Sequence, residues 1–525
     1  MKSSILTASL VAEYDVNKDS IPARRAMSKN LRPIQLFPAA FVLILQFFTF
    51  ATGQEANVTV KITAGDVPSA KVKVQFAVRD SVRTLWFLDE YAGITDLLAK
   101  RYSAIDFRDK QGLLIARRKF SGSDSFSTRN VGSVEYIVNL KPLAGTFATA
   151  HTSWIDGDVG LIMLDDLLPT GWAAGQRTNI RFELPSDWRT YTSEPLLSEV
   201  VLTRDRVRYS VSNIEKAVFV IGRNLRQTNT SSIGARVHMV VSGEWKFSDA
   251  EAAKHSALIS DGYVKTFGSA PTKRAQIAIL RFPAAVPHGN WEADTRGSSI
   301  TIASSDMPFP NQSLQRLHEQ LRHEIFHLWI PNGVNLTGNY DWFYEGFALY
   351  QSLKMGVAVN RIRFDDYLDT LSRAYAIDAR RSNITSMVEA SRNRWSGSNT
   401  DVYARGMLVA FLCDVAMLDA SKGKRSTTDL LREIFSKHGG EARSEEGNAA
   451  ILAVMKRYPE LIPITERYVT GAEKLDWASS VKAAGIDADA KDGRLSVSTK
   501  LSGRQKDLLD KLGYNSWRKL ANEKR

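Results

Sequence analysis

The 525-residue sequence contains a single cysteine, Cys413, so it can form neither an intrachain disulfide nor a cysteine-held metal cluster. That residue lies in the apolar run Met407 to Met417, where a buried, inert thiol is expected. There is no internal repeat and no low-complexity segment, which sets repeat architectures aside. Blocks of like charge are also missing. The formal net charge is +12, but the positive residues are scattered, with short clusters only at Arg117-Arg118-Lys119 and in the tail from Arg518-Lys519 to Lys524-Arg525. A solvated basic surface is expected and no nucleic-acid partner, while attraction to acidic surfaces or peptides stays open.

Long apolar runs are scarce as well. Phe37 to Phe50, FPAAFVLILQFFTF, is shorter than the ~20 residues that cross a bilayer, and it contains Gln46. Arg24, Arg25, Lys29 and Arg32 precede it and the small residues Ala51, Thr52 and Gly53 follow, which is the layout of a secretory signal peptide. Residues 1–53 are therefore expected to direct export, periplasmic or secreted, with a single N-terminal membrane anchor as the alternative. The first 26 residues carry both charge signs, so translation is expected to start at Met27. Residues 1–53 hold six basic and three acidic residues, and their removal leaves a charge of +9.

What remains is ordinary in composition, 44% hydrophobic and 24% charged, and too long for one core. Short alternating runs such as VTVKI, VKVQFAV, VEYIVNL and IRFEL predict a β-sandwich over residues 54–206, with Trp86-Phe87-Leu88 and Leu161 to Leu164 in its core. Strand-like AVFVIG from Ala217, ARVHMVV from Ala235, AQIAILRF from Ala275 and SSITIAS from Ser298, with a helix from Ser248, predict a mixed α/β domain over 207–420. Helical periodicity continues over 421–525. The fold class is thus multidomain α+β. Five Asn-x-Ser/Thr sites, at Asn57, Asn229, Asn311, Asn335 and Asn383, accept glycans only where the exporting cell supplies them.

Of eight histidines, two stand at a ligand spacing. In His323-Glu324-Ile325-Phe326-His327, residues i and i+4 share one helix face, so both imidazoles reach one zinc ion while Glu324 is set beside the metal's open side as general base. A second helix after Pro331, Gly333 and Gly338 brings Glu345 as third ligand. Two histidines and a carboxylate leave a fourth position open, as in a catalytic site holding one Zn2+. His318-Glu319 lacks a partner at that offset and is expected on the helix surface; His151, His238, His255 and His438 also lack ligand-spaced partners.

The blocks HEIFHLW, WFYEGFALY and Tyr403-Ala404-Arg405-Gly406-Met407-Leu408-Val409, in this order, resemble the gluzincin metallopeptidases, and among them the glycyl aminopeptidase family, related to the alanyl and leucyl aminopeptidases. The resemblance implies a thermolysin-like catalytic domain and peptide or protein substrates. It also implies that Tyr403 donates a hydrogen bond to the developing oxyanion; by its sequence alone, a tyrosine on an apolar helix is a core residue. His288-Gly289-Asn290-Trp291-Glu292 is similar to the family's G-x-x-E segment, which implies that Gly289 and Glu292 line the substrate cleft and that Glu292 binds a free amino group. A loop carboxylate in solvent is the alternative reading of Glu292. Two other functions stay open: a catalytically silent, peptidase-shaped binding protein, and a zinc endopeptidase or other amide hydrolase.

Overall fold

The computed structural model describes residues 56–76, 82–87, 98–119, 123–127, 130–144, 148–169, 177–197, 207–232 and 234–515. The expected signal segment at 1–53, Leu88 and the basic tail from Arg518 lie outside the described residues, as does the side chain of Trp86.

The alternating N-terminal runs build two facing sheets. One has seven strands in the order Arg208–Val211, Thr178–Glu183, Ala56–Thr63, Ser69–Gln75, Ser133–Asn139, Ile105–Arg108 and Leu114–Arg118. All neighbours are antiparallel except Ala56–Thr63 beside Thr178–Glu183. The other sheet has the order Arg189–Thr192, Val218–Gly222, Val159–Met163 and Trp154–Asp156. Val58, Val72 and Val134 of the first meet Ile162, Phe219 and Ile221 of the second in one core, which Phe87 and Leu164 join.

Val218–Gly222 corrects the sequence reading. AVFVIG was expected in the mixed sheet, yet it lies in the sandwich, which therefore runs past residue 206 to Gly222. The reason is burial on both faces: Phe219 and Ile221 point into the sandwich core, while Val218 and Val220 pack with Leu161 and Met163 against Val240, Ala278 and Leu280 of the next sheet. A strand covered on both sides is apolar throughout and reads like a parallel-sheet strand.

That next sheet has five strands in the order Arg226–Ser232, Ala235–Val241, Arg274–Arg281, Ser299–Ser304 and Trp291–Arg296, parallel in the middle and antiparallel at both edges. Its second face, with Met239, Ile277 and Ile300, lies under the helices. Those helices include Asp249–Phe267, capped by Ser248 and Glu251, followed by Pro310–His327, Asp341–Ala358, Phe364–Ala379, Asn399–Ala420 and Thr427–His438. One apolar core continues from Val237 to Leu512, so the helices after residue 420 share it with those before. Cys413 is fully buried in this core, and burial pushes its thiol up. Among the described residues no helix is long and apolar enough to cross a membrane.

Candidate metal centre

The first ligand helix, Pro310–His327, opens with proline in its first turn and is enclosed for most of its length, with Leu317, Leu321, Ile325 and Phe326 all in the core. At its C-terminal end His323 and His327 bring their Nε2 atoms to 3.1 Å. The Nδ1 atom of His327 lies 3.0 Å from the Ile330 carbonyl oxygen; donation to it fixes the tautomer that leaves Nε2 as a ligand lone pair.

The second ligand helix, Asp341–Ala358, crosses the tyrosine helix, Asn399–Ala420, where two glycines touch. A Cβ added at Gly346 would lie 2.3 Å from the Gly406 carbonyl carbon, and one at Gly406 would lie 2.6 Å from the Trp342 carbonyl oxygen. This close approach sets Glu345 and Tyr403, one residue before and three residues before those glycines, on the same side of the crossing. One carboxylate oxygen of Glu345 then lies 3.2 Å from His323 Nε2 and 3.4 Å from His327 Nε2. These three side chains are buried and form the one candidate metal-ligand group found among the described residues.

The triangle fits zinc. Tetrahedral bonds of about 2.0–2.1 Å place neighbouring ligand atoms roughly 3.3 Å apart, and the three separations here are 3.1, 3.2 and 3.4 Å. The other Glu345 oxygen is held by Arg394 at 3.1 Å. Burial opposes charge on Glu345, but Arg394 and His327 outweigh it and hold the carboxyl well below its ordinary range.

Arg394 was not visible in the sequence. It comes from a single helical turn, Arg394–Ser396, and its guanidinium also donates to Tyr403 Oη at 2.7 Å and to Asp341 at 2.7 Å. It thereby holds Glu345 and the phenol of Tyr403 together. Tyr403 is half-buried, its ring centroid 6.4 Å from that of His323, and burial raises its hydroxyl well above the usual value.

Glu324 is 4% exposed and accepts a hydrogen bond at 2.7 Å from the hydroxyl of Thr295 on the edge strand Trp291–Arg296. Burial pushes its carboxyl up, against the pull of His323 and His327. Asn332 locks this arrangement: its amide donates to the Thr295 carbonyl at 2.7 Å and its oxygen accepts from Gly297 N at 2.8 Å. Thr295 and Asn332 were also missed by the sequence reading: the strand that carries Thr295 was not read as a strand, and Asn332 lies in the loop after the ligand helix.

Glu292 lies on the same edge strand, three residues before Thr295, and not in a solvent loop. Its side chain is 14% exposed, accepts from Ala150 N at 3.1 Å and sits 3.5 Å from His151 of the sandwich, which is also 3.3 Å from Asp294. Burial raises Glu292 to about 7 despite His151. Arg296 of the strand bonds Asp294, Asp165 and the His151 carbonyl, so this cluster seats the sandwich on the edge strand. Gly289 adopts φ +85° at the opposite end of the strand from Thr295, beside Arg316 and Met307. His318 corrects the sequence reading: it is 1% exposed, with its Nδ1 2.6 Å from Arg322, because the ligand helix is covered on both sides and has no solvent face there.

Neither a protein-family model nor a curated protein matches the chain. Solved structures do. An aminopeptidase N family protein from Idiomarina loihiensis superposes with a TM-score of 0.69, covering 86% of this chain and 82% of that one at 15% identity. An M1 zinc metallopeptidase from Deinococcus radiodurans gives a TM-score of 0.51 over 81% of this chain and 93% of that one at 14% identity. A mutant form of it bound to a Tyr-ser-ala substrate gives 0.51, over 79% and 93%, at 13% identity. The chain therefore shares the mixed α+β fold of these aminopeptidase N family and M1 zinc metallopeptidase structures, at low sequence identity.

Proposed function

We propose that the chain is an exported, zinc-dependent metallopeptidase that hydrolyses peptide bonds and acts as an aminopeptidase, with a thermolysin-like catalytic domain behind the β-sandwich. The observation that carries the reading is the zinc-sized triangle of His323, His327 and Glu345 with Glu324 buried beside it. Zinc bound there supplies Lewis acidity, polarising a peptide carbonyl and making water a usable nucleophile at neutral pH.

The chain's own residues do the rest. Glu324, held by Thr295 through one oxygen, keeps the other to take a proton from the attacking water and hand it to the leaving amine. Tyr403 donates its hydroxyl hydrogen to the oxyanion as it forms, while Arg394 holds the phenol oxygen in place. Glu292 takes the substrate's free amino group, for which its under-compensated carboxylate is suited, and Gly289 lines the same cleft. The fold of the neighbours, one of them carrying a tripeptide substrate, supports peptides as the substrate class. Export rests on the sequence of residues 24–53, and N-terminal sequencing of protein from fractionated cells tests it.

The test of the activity is elemental analysis beside hydrolysis of amino-free and acetyl-blocked peptides. About one zinc per chain is expected, with cleavage of amino-free peptides only. Glu324→Gln should keep the metal and lose roughly 10²–10⁴ in kcat. Zinc without cleavage of either peptide would instead establish the binding-protein alternative, and equal cleavage of both an endopeptidase.

A further inference from the structure

Among the described residues, the longest run of exposed large apolar side chains lies far in sequence from the metal centre, at the edge of the seven-stranded sheet. Leu113, Leu114 and Ile115 are consecutive, and they are 69%, 51% and 50% exposed. Single exposed apolar residues need no explanation, but three in a row on one hairpin do. The hairpin joins Ile105–Arg108 to Leu114–Arg118, and its turn is firmly built. Asp109 Oδ1 accepts from Gln111 N at 2.9 Å and Leu113 N at 2.8 Å, Asp109 N donates to the Leu113 carbonyl at 2.9 Å, and Gly112 takes φ +88°.

Charge surrounds these side chains. Residues 106–119 hold five basic side chains, Arg108, Lys110, Arg117, Arg118 and Lys119, against Asp106 and Asp109. Arg117 is engaged with Asp106, and Arg118 lies over the Phe107 ring with its centroid 4.9 Å away. Protein-binding patches are enriched in aromatic residues and depleted in lysine, whereas this hairpin carries leucine and isoleucine with Lys110 before them and Lys119 after them in the sequence. That combination suits the boundary between anionic headgroups and acyl chains.

We propose that the 109–119 hairpin is a docking surface for an anionic lipid bilayer, with Leu113, Leu114 and Ile115 entering the headgroup boundary and Lys110, Arg118 and Lys119 meeting the lipid phosphates. This contact is separate from the apolar segment at 37–50, and it does not depend on the peptidase reading. It brings a basic edge of the sandwich to the membrane.

The test uses the full chain and one reporter at a time. Because Cys413 is fully buried, an environment-sensitive thiol dye can be directed to Leu114→Cys, or to Val67→Cys as a control. Val67 is 72% exposed in the turn between Ala56–Thr63 and Ser69–Gln75, at the other end of the same sheet. Vesicles of phosphatidylcholine with about a third phosphatidylglycerol should blue-shift the dye at 114 and not at 67, and pure phosphatidylcholine should shift neither. Each basic residue near an anionic surface contributes roughly fivefold to partitioning, so Lys110→Gln, Arg118→Gln and Lys119→Gln together should raise the lipid needed for half-binding about a hundredfold. Peptide hydrolysis should be unchanged by the triple variant. The proposal is overturned by no shift at 114 with anionic vesicles, by equal shifts at 114 and 67, which would mean tethering through another segment, or by a shift that follows protein concentration without lipid, which would mean a second copy on the edge strand.

Discussion

Glu345 and Glu292 are both glutamates buried to a similar degree, with side chains 9% and 14% exposed, yet their environments treat charge in opposite ways. Glu345 has a guanidinium 3.1 Å from one oxygen and two imidazoles facing the other, and it is held ionised. Glu292 has a backbone N–H at 3.1 Å and an imidazole at 3.5 Å that it shares with Asp294, and it is raised to about 7. A buried carboxylate with its compensation in place stays ionised and is ready to serve as a metal ligand. One that lacks it gains most from a cation that arrives, such as a substrate's ammonium group.

The largest expected effect breaks the comparison at its compensated member. Glu345→Gln removes the charged ligand, and the protein should lose both zinc and hydrolysis, read by elemental analysis after dialysis and by peptide turnover. If the variant kept stoichiometric zinc, the third ligand would have to be another group. Arg394→Met comes next: it strips the guanidinium from Glu345 and from Tyr403 Oη without touching the triangle itself. Loss of such a supporting contact costs roughly 10–100-fold in metal affinity, measurable by competition with a chelator. Arg394→Lys should recover part of that affinity, since it returns the charge but not the two-pronged geometry.

How much of this was legible in the sequence follows from how each contact is made. His323, Glu324 and His327 lie within about one turn of a single helix, so periodicity was enough to group them, whereas Glu345 was read from the start of the next helix and reaches them through the Gly346–Gly406 crossing. The strands from Ala235, Ala275 and Ser298 and the main helices up to His438 were likewise legible, because the apolar period changes from two to 3.6 along that stretch, whereas the half-exposed edge strand Trp291–Arg296 was not read as a strand. Arg394 and His151 carried no such signal. The first sits in one helical turn 49 residues beyond Glu345, and the second reaches Glu292 from a different domain. AVFVIG and His318 were misassigned for a common reason, which is that an element buried on both sides loses the polar face by which sequence patterns tell inside from outside.

Glu292→Gln should leave zinc in place and reduce kcat/KM for amino-free peptides, as loss of a charged hydrogen-bond partner of about 1.5–3 kcal/mol corresponds to roughly 10–100-fold. An unchanged kcat/KM for amino-free peptides in the variant would show that Glu292 does not read the amine.

The smallest expected effect sharpens the comparison through pH. With its carboxyl raised from 4.5 to about 7, Glu292 binds its proton more tightly in the fold than in the unfolded chain, so through this group the fold loses stability as pH rises over that interval. Binding of an ammonium group needs the ionised form, so affinity should run the other way and rise with pH. Glu324 also titrates, and it is best removed: in zinc-loaded Glu324→Gln, affinity for an amino-free peptide should increase toward pH about 7. It should then decline above about 8 as the peptide's own α-amino group deprotonates. His151 shapes the lower limb, because its imidazole is shared between Glu292 and Asp294 and its charge favours ionisation of both. His151→Ala should therefore move that limb to higher pH while leaving the upper one in place. Affinity that is flat below pH about 7 in both proteins would mean that Glu292 stays ionised there, and the contrast with Glu345 would disappear.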